Sequence, residues 1–232
     1  MSSDPFADLP KNHFGAILAD PPWSFECWGD ASNAQGLASD HYQTMSHEHI
    51  AALSVSTLAS VDCCLFLWIC WPTLPEALEA IKGWGFKYKT CGFAWLKGNS
   101  SQLDMFPDDQ PVWPGLGHWT RANSEVCLLA TRGTPKRLNA DVRQGIIAPN
   151  RGHSRKPDCV HERIERLVAG PYLELFARQS RPGWTTWGNE ATKFDNPYDA
   201  QDDFAKSLQY GYDKIRERVA NGGRLGFMEE ND

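Results

Sequence analysis

Apolar and polar positions along this chain fall into blocks of two kinds. Phe14-Gly15-Ala16-Ile17-Leu18-Ala19 and Cys63-Cys64-Leu65-Phe66-Leu67-Trp68-Ile69 are short, continuous apolar runs. Runs of that length without polar interruption predict buried strands, and the second predicts a central strand of a parallel sheet. Between them, Ser46 is placed to cap a helix with Ile50, Leu53 and Leu58 on its apolar face. Thr73–Trp84 has helical spacing, with Leu74, Ala77, Leu78 and Ile81 on one side and Gly83 and Gly85 near its end. Tyr88–Leu96 and Glu125–Thr131 predict strands, and Gly145–Ala148 a short extended piece. Pro157–Val168 predicts a helix opened by proline, with Val160, Ile164, Leu167 and Val168 inward. Tyr172–Phe176 and Trp184–Trp187 complete the strands. This alternation predicts an α/β fold: a mostly parallel sheet with helices on both faces.

The intervening segments differ in character. Residues 1–13 read as a loose leader. Residues 24–44 and 98–120 are long polar loops with Trp28, Tyr42, His118 and Trp119 embedded, and long loops beside a sheet often carry function. The predicted domain spans 1–190. Residues 191–232 form an acidic tail with a predicted amphipathic helix over Asp203–Val219 and a frayed end.

Composition narrows the classes. The 232 residues suit one domain with appended segments, and 41% hydrophobic residues suffice for a core. A net charge of −6 argues against a strongly basic nucleic-acid binder, although residues 117–166 hold ten Lys/Arg against five Asp/Glu. Ten tryptophans are available for the core or for gripping planar ligands. Seven scattered cysteines without a C-x-x-C pair read as reduced thiols of a cytoplasmic protein. No metal site is expected. No apolar run approaches the roughly 20 residues needed to span a bilayer.

The sharpest chemical signal is Asp20-Pro21-Pro22-Trp23, directly after the first apolar run. Proline lacks the N–H a sheet ladder requires, so the strand ends there. The chain thus presents a carboxylate, two carbonyls without neighbouring donors and a flat ring at a strand's C-terminal end, where open α/β sheets bind ligands. Asp20 and the Pro21 carbonyl are placed to accept both hydrogens of an exocyclic amine, with Trp23 or a neighbouring aromatic stacking on the ring. A plain Pro-rich turn would need none of this chemistry.

The order of motifs resembles the MT-A70 family of adenine N6 methyltransferases, which use S-adenosylmethionine. The resemblance is carried by Ala19-Asp20-Pro21-Pro22-Trp23, His41-Tyr42-Gln43-Thr44-Met45, Phe66-Leu67-Trp68, Gly117-His118-Trp119 and Glu125-Val126-Cys127-Leu128. It continues through His153-Ser154-Arg155-Lys156-Pro157-Asp158, Ile164-Glu165-Arg166-Leu167, Glu174-Leu175-Phe176-Ala177-Arg178 and Gly188-Asn189-Glu190. It implies a Rossmann-like sheet in permuted order, with the catalytic tetrapeptide before the cofactor motif. It also implies catalytic roles for Asp20, Pro21, Pro22 and Trp23. Cofactor contacts would fall to Asp20, Lys156, Glu174, Phe176, Arg178, Asn189 and Glu190. The substrate base would meet Trp23, Tyr42, His118 and Trp119. For Glu174 a paired buried acid is an equally serious reading. Where the family often carries His-Asn after the motif arginine, this chain has Gln179-Ser180-Arg181.

On this resemblance the chain methylates adenine in a nucleic acid, DNA before RNA, through a flipped or unpaired base, alone or as a homo- or heterodimer. The alternatives are a catalytically silent nucleic-acid-binding subunit, or a methyltransferase for RNA or a free nucleotide.

Overall fold

In a computed structural model of the chain, residues 4–24, 44–98, 119–120, 122–150 and 155–195 are described. Seven strands form one sheet in the order β5-β3-β4-β2-β1-β6-β7. β1 (Phe14–Ala19) lies between β2 (Ala59–Ile69) and β6 (Tyr172–Leu175), parallel to both. β7 (Trp184–Trp187) continues parallel from β6 as one edge. β3 (Lys87–Gly98) pairs in parallel with the opposite edge, β5 (Gly145–Pro149). β4 (Ser124–Arg132) runs antiparallel to both neighbours, β2 and β3. The sheet is therefore mostly parallel with one reversed strand. β2 is central, as expected, but parallel on one side only.

The continuous apolar runs are explained by burial on both faces. Ile17, Ala19, Leu65, Leu67 and Leu128 enter one core with Ile50 of α1 (His47–Ala51) and Ala77 and Ile81 of α2 (Leu74–Gly83). Their alternating neighbours Ala16, Leu18, Cys64, Phe66, Trp68 and Cys127 enter a second core with Val160 and Ile164 of α3 (Cys159–Leu167). Period-two alternation sends successive side chains to opposite faces, so each strand feeds both cores. α1 is capped as expected, Ser46 Oγ accepting from His49 N–H at 3.3 Å, but it ends at Ala51, so Leu53 and Leu58 of the expected face lie beyond it. α2 turns Ala80 inward and leaves Leu78 exposed, against the expected face. The Trp84 indole ties the end of α2 to the Ile50 carbonyl at 2.9 Å.

The leader is not loose over its described part. Phe6 is fully buried and meets Trp187 edge to face at 4.8 Å between centroids. The Trp187 indole donates to the Pro5 carbonyl at 3.1 Å. Asp4 accepts from Lys11, from the Phe6 N–H and from Ser54, which together pull its carboxyl down to about 2. One buried aromatic is enough to dock a short leader, because burying a Phe side chain contributes about 2 kcal/mol. The helix expected over 203–219 lies outside the described residues, as do Trp28, Tyr42 and His118. The six described cysteines are free thiols. No described helix is long and apolar enough to cross a membrane.

Candidate active site

The C-terminal ends of β1, β2, β6 and β7 share one edge of the sheet, and β4, being reversed, begins there. Asp20 follows β1 and extends its ladder, its N–H pointing to the Leu175 carbonyl at 3.4 Å. The side chain sits between two cations. Lys156 Nζ lies 2.8 Å from Oδ2, and an Arg178 guanidinium nitrogen lies 3.5 Å from the same oxygen. Both contacts fall on Oδ2, so Oδ1 is outside them.

Lys156 reaches a second carboxylate, Glu125 Oε2 at 3.2 Å, and stands 5.6 Å above the Trp68 ring. Glu125 pairs through its other oxygen with Lys97 at 2.5 Å. Lys97, Glu125, Lys156 and Asp20 thus form an alternating chain of charge, joined at its end by Arg178. Burial opposes the Lys156 charge, but Asp20 and Glu125 outweigh it and hold its pKa above the ordinary lysine value. Burial likewise pushes the Glu125 carboxyl up, but Lys156 and Lys97 prevail and hold it below the ordinary range. Cys70, directly after β2, is half-buried beside these groups. Burial first, and the Glu125 charge next, push its thiol up to about 11. Lys97 and Glu125 were not singled out from the sequence as site residues. The available signal was a carboxylate opening an otherwise apolar strand, with no indication of which lysines it would meet.

The tetrapeptide's carbonyls differ from expectation. The Trp23 N–H donates to the Pro21 carbonyl at 2.8 Å, and the Met45 N–H donates to the Pro22 carbonyl at 2.9 Å. The first closes a three-residue turn. A carbonyl has two lone pairs, so Pro21 keeps one for another donor. Trp23 is placed in the core rather than on the cleft wall. It is buried, its indole N–H donates to the Trp68 carbonyl at 2.9 Å, and His47 packs against its ring at 6.0 Å.

The opposite wall is built from backbone. Phe176, just past β6, has φ +62°, a conformation a bulky residue rarely adopts. The Ala177 N–H donates to the Trp187 carbonyl at 2.9 Å, and the Phe176 ring meets Trp187 edge to face at 5.6 Å. Gly188 passes so near that a Cβ there would lie 2.7 Å from the Ala177 oxygen. Between the walls is a cleft of about 460 Å³ lined by Asp20, Pro21, Pro22, Met45, Phe176, Arg178, Trp187, Asn189 and Glu190, among others.

Asp20, Phe176, Arg178, Asn189 and Glu190 are therefore brought together. Lys156 borders a smaller neighbouring cavity with Asp20, Phe176, Arg178 and Glu174. Glu174 is paired, its Oε2 lying 2.8 Å from His161 Nε2, but it is half-buried rather than the buried acid of the alternative reading. The His161 ring is buried, and its Nδ1 has no hydrogen-bond partner among the described residues. Trp119 is almost fully exposed. His47 hydrogen-bonds the Ser24 carbonyl and lies 3.8 Å from Glu76.

A mostly parallel sheet with a carboxylate held by cations at a strand end is consistent with a Rossmann-like methyltransferase fold. Residues 14–190 match the MT-A70 family, so the chain belongs to that family and is an adenine N6 methyltransferase by class. It is 30% identical over 204 residues to the type II methyltransferase M.MunI of a Mycoplasma species, across 80% of this chain and 81% of that protein. It is 32% identical over 184 residues to the N(6)-adenosine-methyltransferase MT-A70-like protein of Drosophila melanogaster, across 76% of this chain and 27% of that one. The catalytic subunit METTL3 of the Homo sapiens N(6)-adenosine-methyltransferase is 29% identical over 184 residues, across 76% of this chain and 28% of its own length. The chain thus spans most of the first relative and about a quarter of the other two.

Proposed function

We propose that this protein transfers a methyl group from S-adenosylmethionine to the N6 amine of adenine in a polynucleotide, DNA in preference to RNA. The observation that carries the proposal is Asp20, held on one oxygen by Lys156 and Arg178 and opening onto the cleft.

The side chains suit the methyl donor. A cleft of this size is typical of small-molecule sites. Its lining offers carboxylates for an ammonium and for ribose hydroxyls, an arginine, an amide and two aromatic rings, a set that fits a zwitterionic nucleoside. Asp20, Phe176, Arg178, Asn189 and Glu190 would hold it from this cleft, and Lys156 and Glu174 from the adjoining cavity. When bound, the donor supplies a sulfonium-activated methyl group.

The remaining chemistry belongs to the protein. The exocyclic amine of adenine is a poor nucleophile because its lone pair is delocalised into the ring. Asp20 and the second lone pair of the Pro21 carbonyl accept its two hydrogens and draw the nitrogen toward tetrahedral geometry, localising that lone pair. Lys156 and Arg178 fix the Asp20 carboxylate in place, so positioning and preorganised charge supply the acceleration. The proton is lost from an already cationic methylamine, so Asp20 need not be a strong base. A strand-end pocket does not reach a base inside its stack, so the adenine enters flipped or unpaired.

The preference for DNA rests on the relative matched over most of both lengths being a type II methyltransferase rather than one named for adenosine. Retention of Asp20, Lys156 and Asn189 weighs against a silent subunit. The test is incubation with labelled S-adenosylmethionine and matched double-stranded DNA, single-stranded DNA and RNA, followed by nucleoside analysis. N6-methyladenine in DNA is expected. Higher yield in RNA overturns the preference, and no methylated polynucleotide from folded protein overturns the proposal.

A further inference from the structure

Trp71 follows β2 by one residue beyond Cys70 and is half-exposed, 51% of its surface reaching solvent. Exposed Val61 and Tyr88 lie toward the starts of β2 and β3, at the far end of the sheet, whereas Trp119, Leu96 and Ile147 are exposed toward the other end. Trp71 lies at the reaction end. Cys70 beside it is near enough to Asp20, Lys156, Glu125 and Lys97 to feel each charge.

The ring is also held in place. Its indole N–H donates to Ser124 Oγ at 3.1 Å, and Ser124 directly precedes Glu125. The Thr73 N–H and hydroxyl both donate to the Cys70 carbonyl at 2.9 Å, closing the turn, and Pro72 fixes the backbone between them. A large aromatic face is thus exposed in one orientation, at low cost in side-chain entropy on binding. Trp71 follows β2, the neighbour of the strand that delivers Asp20, and its indole leans over the start of β4, the strand that delivers Glu125.

We propose that Trp71 is a stacking platform for a base neighbouring the adenine that enters the cleft. The proposal rests on the polynucleotide reading above. A polymer that inserts one base beside Asp20 must lay its flanking residues across this rim, and every base has a face that stacks on an indole. Protein partners lack that obligation to pass Asp20, which favours a nucleic acid as the occupant. Trp71 would set affinity for the polymer and tolerance of flanking sequence, while leaving the methyl donor's contacts alone.

The test uses the full chain as wild type, Trp71→Ala and Trp71→Phe. Binding of a fluorescein-labelled, adenine-containing single-stranded oligonucleotide is followed by anisotropy, methylation of the same oligonucleotide by steady-state kinetics, and S-adenosylmethionine affinity by calorimetry. Trp71→Ala should weaken oligonucleotide binding and raise its KM on the order of ten- to a hundredfold. Trp71→Phe should recover most of the loss, and the donor's Kd should stay unchanged in both variants. An abasic nucleotide beside the target adenine should penalise the wild type and add little to Trp71→Ala.

Equal oligonucleotide binding by wild type and Trp71→Ala overturns the platform, whatever the turnover. Altered self-association in Trp71→Ala with unchanged oligonucleotide affinity assigns the ring to a protein interface and overturns it too. Trp71-dependent binding without any methylated product would support the platform and refute the methyltransfer reading, so the two fail separately.

Discussion

The two walls of the cleft are made by different means. The wall around Asp20 is made of charge: Lys97 of β3, Glu125 of β4, Lys156 ahead of α3 and Arg178 after β6 form one linked set with it. The wall from Phe176 to Glu190 is made of backbone, a left-handed turn at Phe176 pressed against Gly188 and Trp187. A charged wall places its groups by mutual pairing, so it depends on the ionisation of every member. A backbone wall places its groups by steric fit, so it is indifferent to pH and sensitive to single atoms. The two should therefore fail differently when disturbed.

The largest effect is expected at Asp20. Asp20→Asn retains the shape but replaces an anionic acceptor with a neutral amide, half of which donates. Turnover should fall by roughly a hundred- to a thousandfold with the fold intact, the scale of losing one preorganised electrostatic contact. Near-normal kcat in a variant with native circular dichroism would show that charge at this wall does not drive transfer.

Glu125→Gln should cost about 3 kcal/mol of stability, because it leaves Lys156 and Lys97 short of a buried partner. For a chain of this size that lowers Tm by roughly 6–12 °C. The pH dependence has a definite sign. The Glu125 carboxyl is held below its unfolded value, so its contribution is present above about pH 4.3 and lost as pH falls through the folded value. The Lys156 ammonium is held above its unfolded value, so its contribution is complete below about pH 10.4 and lost as pH rises through the folded value. The gap in Tm between wild type and Glu125→Gln should be flat from about pH 5 to 10 and close in acid. A gap that widens below pH 4 would contradict this pairing.

The smallest effect is expected at Gly188→Ala. The added Cβ meets the Ala177 oxygen and nitrogen, both backbone atoms that are slow to yield. The expected cost is about 1–2 kcal/mol of stability, with donor affinity reduced about tenfold as the Phe176–Arg178 turn shifts. Both losses should be the same at pH 6 and pH 9. Calorimetric titrations at the two pH values check this, and a strongly pH-dependent loss would erase the distinction between the walls.

Much of the frame was legible because it rests on local signals. The end of β1 follows from two prolines, and Ser46 announces its helix through capping chemistry. The direction of β4 was not legible, since an apolar run reads the same whichever way it enters a sheet. That direction brings Glu125 to the reaction edge, so the pairing of Glu125 with Lys156 was hidden with it. Trp23 carried the opposite ambiguity: the sequence shows a ring beside a carboxylate, and only packing decides that the ring turns inward to the Trp68 carbonyl. The docking of the leader turned on Phe6 alone, too short a pattern to read.

Because β4 is reversed, β3 ends and β4 begins at the same edge, where the Lys97 N–H donates to the Asn123 carbonyl at 2.9 Å. The segment between them is consequently rooted at both feet on the rim of the cleft. The same holds for the segment between Ser24 and Thr44, whose neighbours Trp23 and Met45 pair beside Pro22. The points where these two segments leave and rejoin the sheet thus lie at one edge, apart from the two cores on its faces. A change of chain length between such points does not ask either core to repack. A frame of this kind accepts grafts at those points while its two cores stay as they are.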